Sequence, residues 1–280
     1  MFLRKISAAL LVAYAALIIY AVVGVFFQIT YQPFITPLTT FVAFTFAITH
    51  SVLHLGWKKA LLLLVLTFTV SLLFESLGVA TGWIYGPYHY TDKLGMKFLD
   101  LVPLLIPVAW FMMTYPSFVL ATCLIRGSQN HWTWRLGVAG VGAVIMTAWD
   151  LVMDPMMVAG GHWVWEEQGA YFGIPLQNFW GWWLTIFVTF FLFLSIAKIR
   201  PANRKTSIRG IEGMAIACYA LTGLSNIIIC LRVGLGGPGL VGLFAMLPWV
   251  VAGWLISASF SKTASGDSPA MITRESLQDE

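Results

Sequence analysis

The chain has 280 residues, of which 59% are hydrophobic and only 10% charged, where soluble domains carry about 25% charged residues. A mean hydropathy of +0.82 with 13 Trp, 20 Phe and 9 Tyr leaves too little polar surface to coat a water-soluble globule, so an ordinary soluble enzyme is excluded and lipid is the solvent. The net charge of +4 is spread over short loops rather than gathered into a groove, which argues against nucleic acid as a partner.

A bilayer takes about 20 apolar residues to cross. On that ruler eight spans are expected, at 8–27, 34–54, 60–80, 101–125, 136–154, 178–197, 211–233 and 240–260. The fold class is therefore all-α, a polytopic membrane helix bundle. The first span follows Arg4 and Lys5 in the charge order of a signal peptide, but its apolar run is too long and ends without a clear small-residue cleavage site, so it reads as a membrane span. Placing the N-terminus in the cytoplasm puts thirteen of the sixteen Lys and Arg on the inner side and leaves Lys93, Lys97 and Arg232 outside. That bias obeys the positive-inside rule and puts both termini in the cytoplasm, with a cell-membrane location. Residues 1–261 read as one transmembrane domain and residues 262–280, polar and of mixed charge, as a disordered cytoplasmic tail.

The second span carries His50 and His54 at i, i+4. That spacing can put two imidazoles on one metal, but a membrane di-iron site needs several such clusters and this chain has one. Hydrogen bonding within the bundle is the simpler reading, and no metal or other cofactor is expected. Glu75 lies about one and a half turns inside the third span, where a carboxylate must be neutral, paired or facing a wet cavity. After it comes Thr81-Gly-Trp-Ile-Tyr-Gly-Pro-Tyr-His-Tyr-Thr-Asp92, the first of two long outer loops, at 81–100 and 155–177. Both loops are rich in Gly, Pro and rings, which suits folded caps or re-entrant elements better than floppy linkers.

On the fifth span Asp150 and Asp154 stack one helical turn apart, so both cannot ionise cheaply; one protonated and one ionised carboxyl make an acid and a base. Pro155 is expected to stop or kink that helix. The rival reading has Asp154 capping the turn beside Pro155 and Asp150 paired with Arg232 or a tyrosine hydroxyl. A faint repeat relates Glu75, Pro103 and Trp110 to Asp154, Pro175 and Trp182, with Trp seven residues after Pro in both copies. Two such helix-loop-helix units would set two carboxylates around one pocket. Trp83, Tyr85, Tyr88, Tyr90, Trp110, Trp149, Trp163 and Trp182 are the candidate pocket walls, suited to a long flat hydrocarbon or a cation held by ring faces. Asp92 and Asn178 are the candidate polar groups that admit or orient water. There is no Lys in the seventh span, which excludes a retinal Schiff base there, and no phosphate loop, dinucleotide fingerprint, CxxC or GxSxG in a suitable context. Acid-base chemistry on an apolar substrate remains.

Three blocks carry a family resemblance. They are Glu75-Ser-Leu-Gly-Val-Ala-Thr-Gly-Trp-Ile-Tyr-Gly-Pro-Tyr-His-Tyr-Thr-Asp92, Ala148-Trp-Asp-Leu-Val-Met-Asp-Pro155 and Gly173-Ile-Pro-Leu-Gln-Asn-Phe-Trp-Gly-Trp182. In that order they resemble the integral-membrane carotenoid-biosynthesis hydratases, of the bisanhydrobacterioruberin hydratase and γ-carotene 1'-hydratase type. The likeness covers about residues 40–255 and leaves out the first span and the tail. It implies a cofactor-independent hydro-lyase that adds water to the terminal double bond of an acyclic carotenoid end group, giving a tertiary alcohol. Asp150, Asp154 and Glu75 are then the acid-base set, with the general acid undecided among them and the intermediate a tertiary carbocation. The implied partners are acyclic carotenoid, water, the bilayer and other carotenoid-biosynthesis enzymes. Two rivals keep the same residues in other roles: an end-group cyclase, in which an internal alkene captures the cation, and a lipid or carotenoid transporter, in which the carboxylates relay protons.

Overall fold

The computed structural model describes residues 1–29, 34–125, 131–199 and 211–266. Among them are eight helices long and apolar enough to cross a membrane: α1 (Phe2–Phe26), α2 (Ile35–Leu55), α3 (Trp57–Thr81), α4 (Leu105–Leu124), α5 (His131–Ala159), α6 (Leu176–Ile196), α7 (Glu212–Arg232) and α8 (Gly236–Gly266). The protein is an all-α multi-pass bundle. In lipid a spanning segment must satisfy its own backbone polar groups, which is why every long apolar run is a helix. The central element is α4, with fifteen buried residues running from Ile106 to Ala121. α1 lies at the periphery, packs mainly on α2 and α7, and buries only Ser7 and Tyr14. The last helix reaches Gly266, and residues 267–280 of the expected tail lie outside the described residues.

Pro155 does not stop the fifth helix, one of the two outcomes expected of it, and α5 continues one turn further, to Ala159. Proline at 155 removes the N–H that would bond the carbonyl of Leu151. The Tyr171 hydroxyl donates to that carbonyl at 2.8 Å and takes the place of the missing amide.

Both long loops fold into one cap over the end of the bundle formed by the C-termini of α3 and α5. Gly82, in the left-handed conformation with φ +71°, ends α3, a position that favours glycine because a Cβ is strained there. The chain then forms β1 (Tyr88–Tyr90), a 3-10 turn (Asp92–Leu94) and a short hairpin of β2 (Lys97–Phe98) and β3 (Val102–Pro103). After α5 comes β4 (Trp163–Trp165), which pairs antiparallel with β1 in the register Tyr88↔Trp165, His89↔Val164, Tyr90↔Trp163. Side chains alternate along a strand. Tyr88, Tyr90, Trp163 and Trp165 therefore point into the protein, while His89 and Val164 point out.

Candidate functional site

A cavity of about 560 Å³ lies beneath this cap, within the size range of small-molecule sites. Its walls include Glu75 from α3, Trp110 from α4, Trp149 and Asp154 from α5, Asn178 and Trp182 from α6, and all four inward rings of the strand pair. The carboxyl groups belong to two separate hydrogen-bonded units.

In the first unit three donors hold Glu75. The Tyr88 and Tyr90 hydroxyls both donate to Oε2, the latter at 2.9 Å, and Trp110 Nε1 donates to Oε1 at 2.9 Å. Burial first, and then the neighbouring Glu75 carboxylate, push the phenols of Tyr88 and Tyr90 well above their ordinary range. They stay protonated and act as donors. An indole N–H can only donate, so both oxygens of Glu75 are used as acceptors, the pattern that suits a carboxylate.

The second unit joins the two aspartates. Asn178 Nδ2 donates to Asp150 Oδ2 at 2.8 Å and to Asp154 Oδ2 at 2.7 Å. Trp163 Nε1 donates to Asp154 Oδ1 at 2.7 Å, while Asp150 Oδ1 is buried with no hydrogen-bond partner among the described residues. Asp154 lines the cavity with Asn178, and Asp150 lies behind them, outside its lining. Asp154 therefore caps no turn, and Asp150 is tied to an amide rather than to Arg232 or a tyrosine. The Arg232 guanidinium lies over the Phe26 ring instead.

The aromatic wall is ordered by its N–H groups. Trp110 and Trp182 stack with centroids 4.1 Å apart, and Trp149 meets Trp182 edge-on at 5.8 Å. With its amide oriented to suit its neighbours, Asn226 accepts from Trp149 Nε1 at 3.0 Å. Tyr85 is buried in the α3–α6 seam, where only the absence of a Cβ at Gly78 and Gly181 leaves room for its ring. Its hydroxyl meets Thr185 Oγ1 at 2.7 Å. Thr185 gives its own proton to Gly181 O, so Tyr85 is the donor of the pair. Anchoring Trp110, Trp149 and Trp163 by their N–H edges fixes where their faces lie, which gives the pocket a defined π surface.

A family model described as "Carotenoid biosynthesis protein" matches residues 31–249, most of the chain and nearly all of this site. The chain belongs to the carotenoid biosynthesis protein family. It is also 36% identical over 119 residues to bisanhydrobacterioruberin hydratase of Haloarcula japonica, a stretch that covers 42% of this chain and 39% of that protein. No solved structure matches the chain.

Within this family member, the expected pocket residues separate by strand alternation and loop position. Glu75, Tyr85, Tyr88, Tyr90, Trp110, Trp149, Asp154, Trp163, Asn178 and Trp182 all line the cavity. Trp83 and Asp92 do not. Trp83 follows the end of α3 and is 84% exposed, and Asp92 points into solvent from the 3-10 turn to meet Lys97 at 2.9 Å. Lys97 also donates to Tyr90 O, so Asp92 belongs to a clamp on the end of β1, outside the cavity wall. The pocket reaches further than the capped ends of α3 to α6, taking in Tyr14 from α1 and Thr222, Ser225 and Asn226 from α7. The signal for these was available in the sequence, since polar side chains inside apolar spans need partners or a cavity.

At the other end of the bundle His50 uses both ring nitrogens, Nδ1 with the Tyr115 hydroxyl at 2.6 Å and Nε2 with Ile211 O at 2.9 Å. The carbonyl requires the proton on Nε2, so Nδ1 accepts from tyrosine and has no lone pair to offer a metal. No group of three or more His, Cys, Asp or Glu comes together as a metal cluster among the described residues.

Proposed function

We propose that this family member is a carotenoid hydratase, adding water across the terminal double bond of an acyclic end group. The observation that carries the reading is that Glu75 and Asp154, from different hydrogen-bonded units, face one apolar, ring-lined cavity. The similarity to a protein named as a hydratase supports the same reaction class.

The aspartate unit is the proton store. One amide joins the two carboxyls, so two full negative charges would lie side by side, and the pair holds one proton between them. Asp154, the member that faces the cavity, delivers a proton to the less substituted alkene carbon. The π pair becomes the new C–H bond, and the adjacent carbon is left as a tertiary cation. Glu75, clamped by three donors, supplies fixed negative charge, and the faces of Trp110, Trp149 and Trp182 add about 0.5–2 kcal/mol each where desolvated. Preorganised charge in a dry site is the larger contribution. Water adds through oxygen to the cation and returns a proton to the aspartate unit, so no cofactor or redox change is required. We place this site at the outer face of the membrane, with both termini in the cytoplasm, on the bias of Lys and Arg between the loops.

The test is pigment analysis after expression in a host that accumulates acyclic carotenoid, in water enriched in heavy oxygen. The wild type is expected to give labelled tertiary alcohol and Asp154→Asn to give unreacted carotenoid. Cyclised, unlabelled product would move the assignment to a cyclase, and bound but unchanged pigment would move it to a carrier.

A further inference from the structure

The cavity is also lined by α1, α2 and α7, none of which carries Glu75 or Asp154. Tyr14, Ile18, Ala21 and Val25 line it from α1, and their spacing of four, three and four residues puts them on one helical face. That face runs roughly 16 Å along the helix at 1.5 Å per residue. The opposite face of α1 meets lipid, as the 69% exposure of Val12 shows. One buried hydrogen bond ties α1 to α7, Tyr14 Oη to Thr222 Oγ1 at 2.7 Å. Thr222 gives its proton to Cys218 O at 2.8 Å, so Tyr14 is the donor of that tie.

α1 is thus a thin wall, one helix thick, between the cavity and the lipid from which a hydrocarbon substrate must come. It also precedes the residues matched by the family model. We propose that α1 is a specificity-determining wall of this site. The polyene arm of the substrate lies along its inner face while the end group reaches Glu75 and Asp154, and side-chain volume at Ala21 sets whether that arm fits. The proposal rests on the carotenoid reading of the pocket but not on hydration itself.

Binding tests it separately from turnover. The full chain is placed in phosphatidylcholine vesicles and titrated with a long acyclic isoprenoid polyene, and quenching of tryptophan fluorescence by the polyene is followed. Ala21→Phe, which adds a ring on the inner face, is expected to weaken binding about tenfold, the scale of overfilling a packed apolar site. Val12→Phe adds the same ring on the lipid face and is expected to bind as the wild type does. Tyr14→Phe, which frees the tie to Thr222 while keeping the ring, is expected to speed association severalfold. Equal binding by Ala21→Phe and Val12→Phe overturns the proposal, as does failure of the wild type to bind the polyene. Wild-type protein that binds the polyene, loses it on Ala21→Phe and forms no alcohol supports the wall and removes the hydratase reading alone.

Discussion

Glu75→Gln is the most informative single change, because it keeps the shape of the side chain and alters only its charge and proton pattern. The carboxylate accepts from Tyr88, Tyr90 and Trp110. An amide has one oxygen, which the donor-only indole of Trp110 must take. The new NH₂ then faces two tyrosine hydroxyls that had been donating, and both must turn to accept and leave their protons unmet. Hydrogen bonds to a charged group contribute about 1.5–3 kcal/mol and neutral ones about 0.5–1.5. Three such downgrades sum to about 3 kcal/mol. If the charge is used on the cationic transition state, that energy corresponds to roughly a hundredfold fall in turnover. The assay is initial-rate pigment conversion by purified protein in vesicles, paired with thermal unfolding of the same samples. A variant that converts substrate at the wild-type rate would show that Glu75 carries no charge the reaction uses. A variant that loses stability yet keeps its rate per folded molecule would reduce Glu75 to a structural post.

Further consequences follow from other parts of the cap. Tyr171→Phe leaves Leu151 O without the donor that replaces the missing amide of Pro155, and is expected to cost about 1–3 kcal/mol of stability, read as a shift in the midpoint of denaturant unfolding in detergent. Trp83→Ala and Asp92→Asn, which lie outside the cavity, are each expected to leave the conversion rate within about twofold of wild type, since surface substitutions away from buried networks change little. Burial lowers the pKa of His162 at the cavity edge below its ordinary value. The folded state therefore favours neutral imidazole, and its contribution is fully present above about pH 6.5 and lost as pH falls through the lower folded value. Melting temperature between pH 5 and pH 8 is expected to fall less steeply on acidification in His162→Gln than in the wild type.

Much of this architecture is written in local sequence. Eight apolar runs are helices because lipid leaves a spanning backbone no other way to satisfy its polar groups, and Glu75, Asp150 and Asp154 stand out because a carboxyl inside such a run demands a partner. The alternating rings of Tyr88–Tyr90 and Trp163–Trp165 were visible as composition. What the one-dimensional pattern lacked was register. Only the pairing of β1 with β4 turns those four rings inward and leaves His89 facing out. Only tertiary contact lets Tyr171 carry α5 through Pro155, inserts Asn178 between the two aspartates, and separates Trp83 and Asp92 from the site. The first span shows the same division: its length and hydropathy mark it as a helix, but Tyr14 becomes a cavity residue only when α7 lies beside it. Local periodicity encodes which segments are helices, since that depends on neighbours a few residues away. Which side chains share a cavity depends on loops closing over tens of residues, and no spacing within a single helix carries that information.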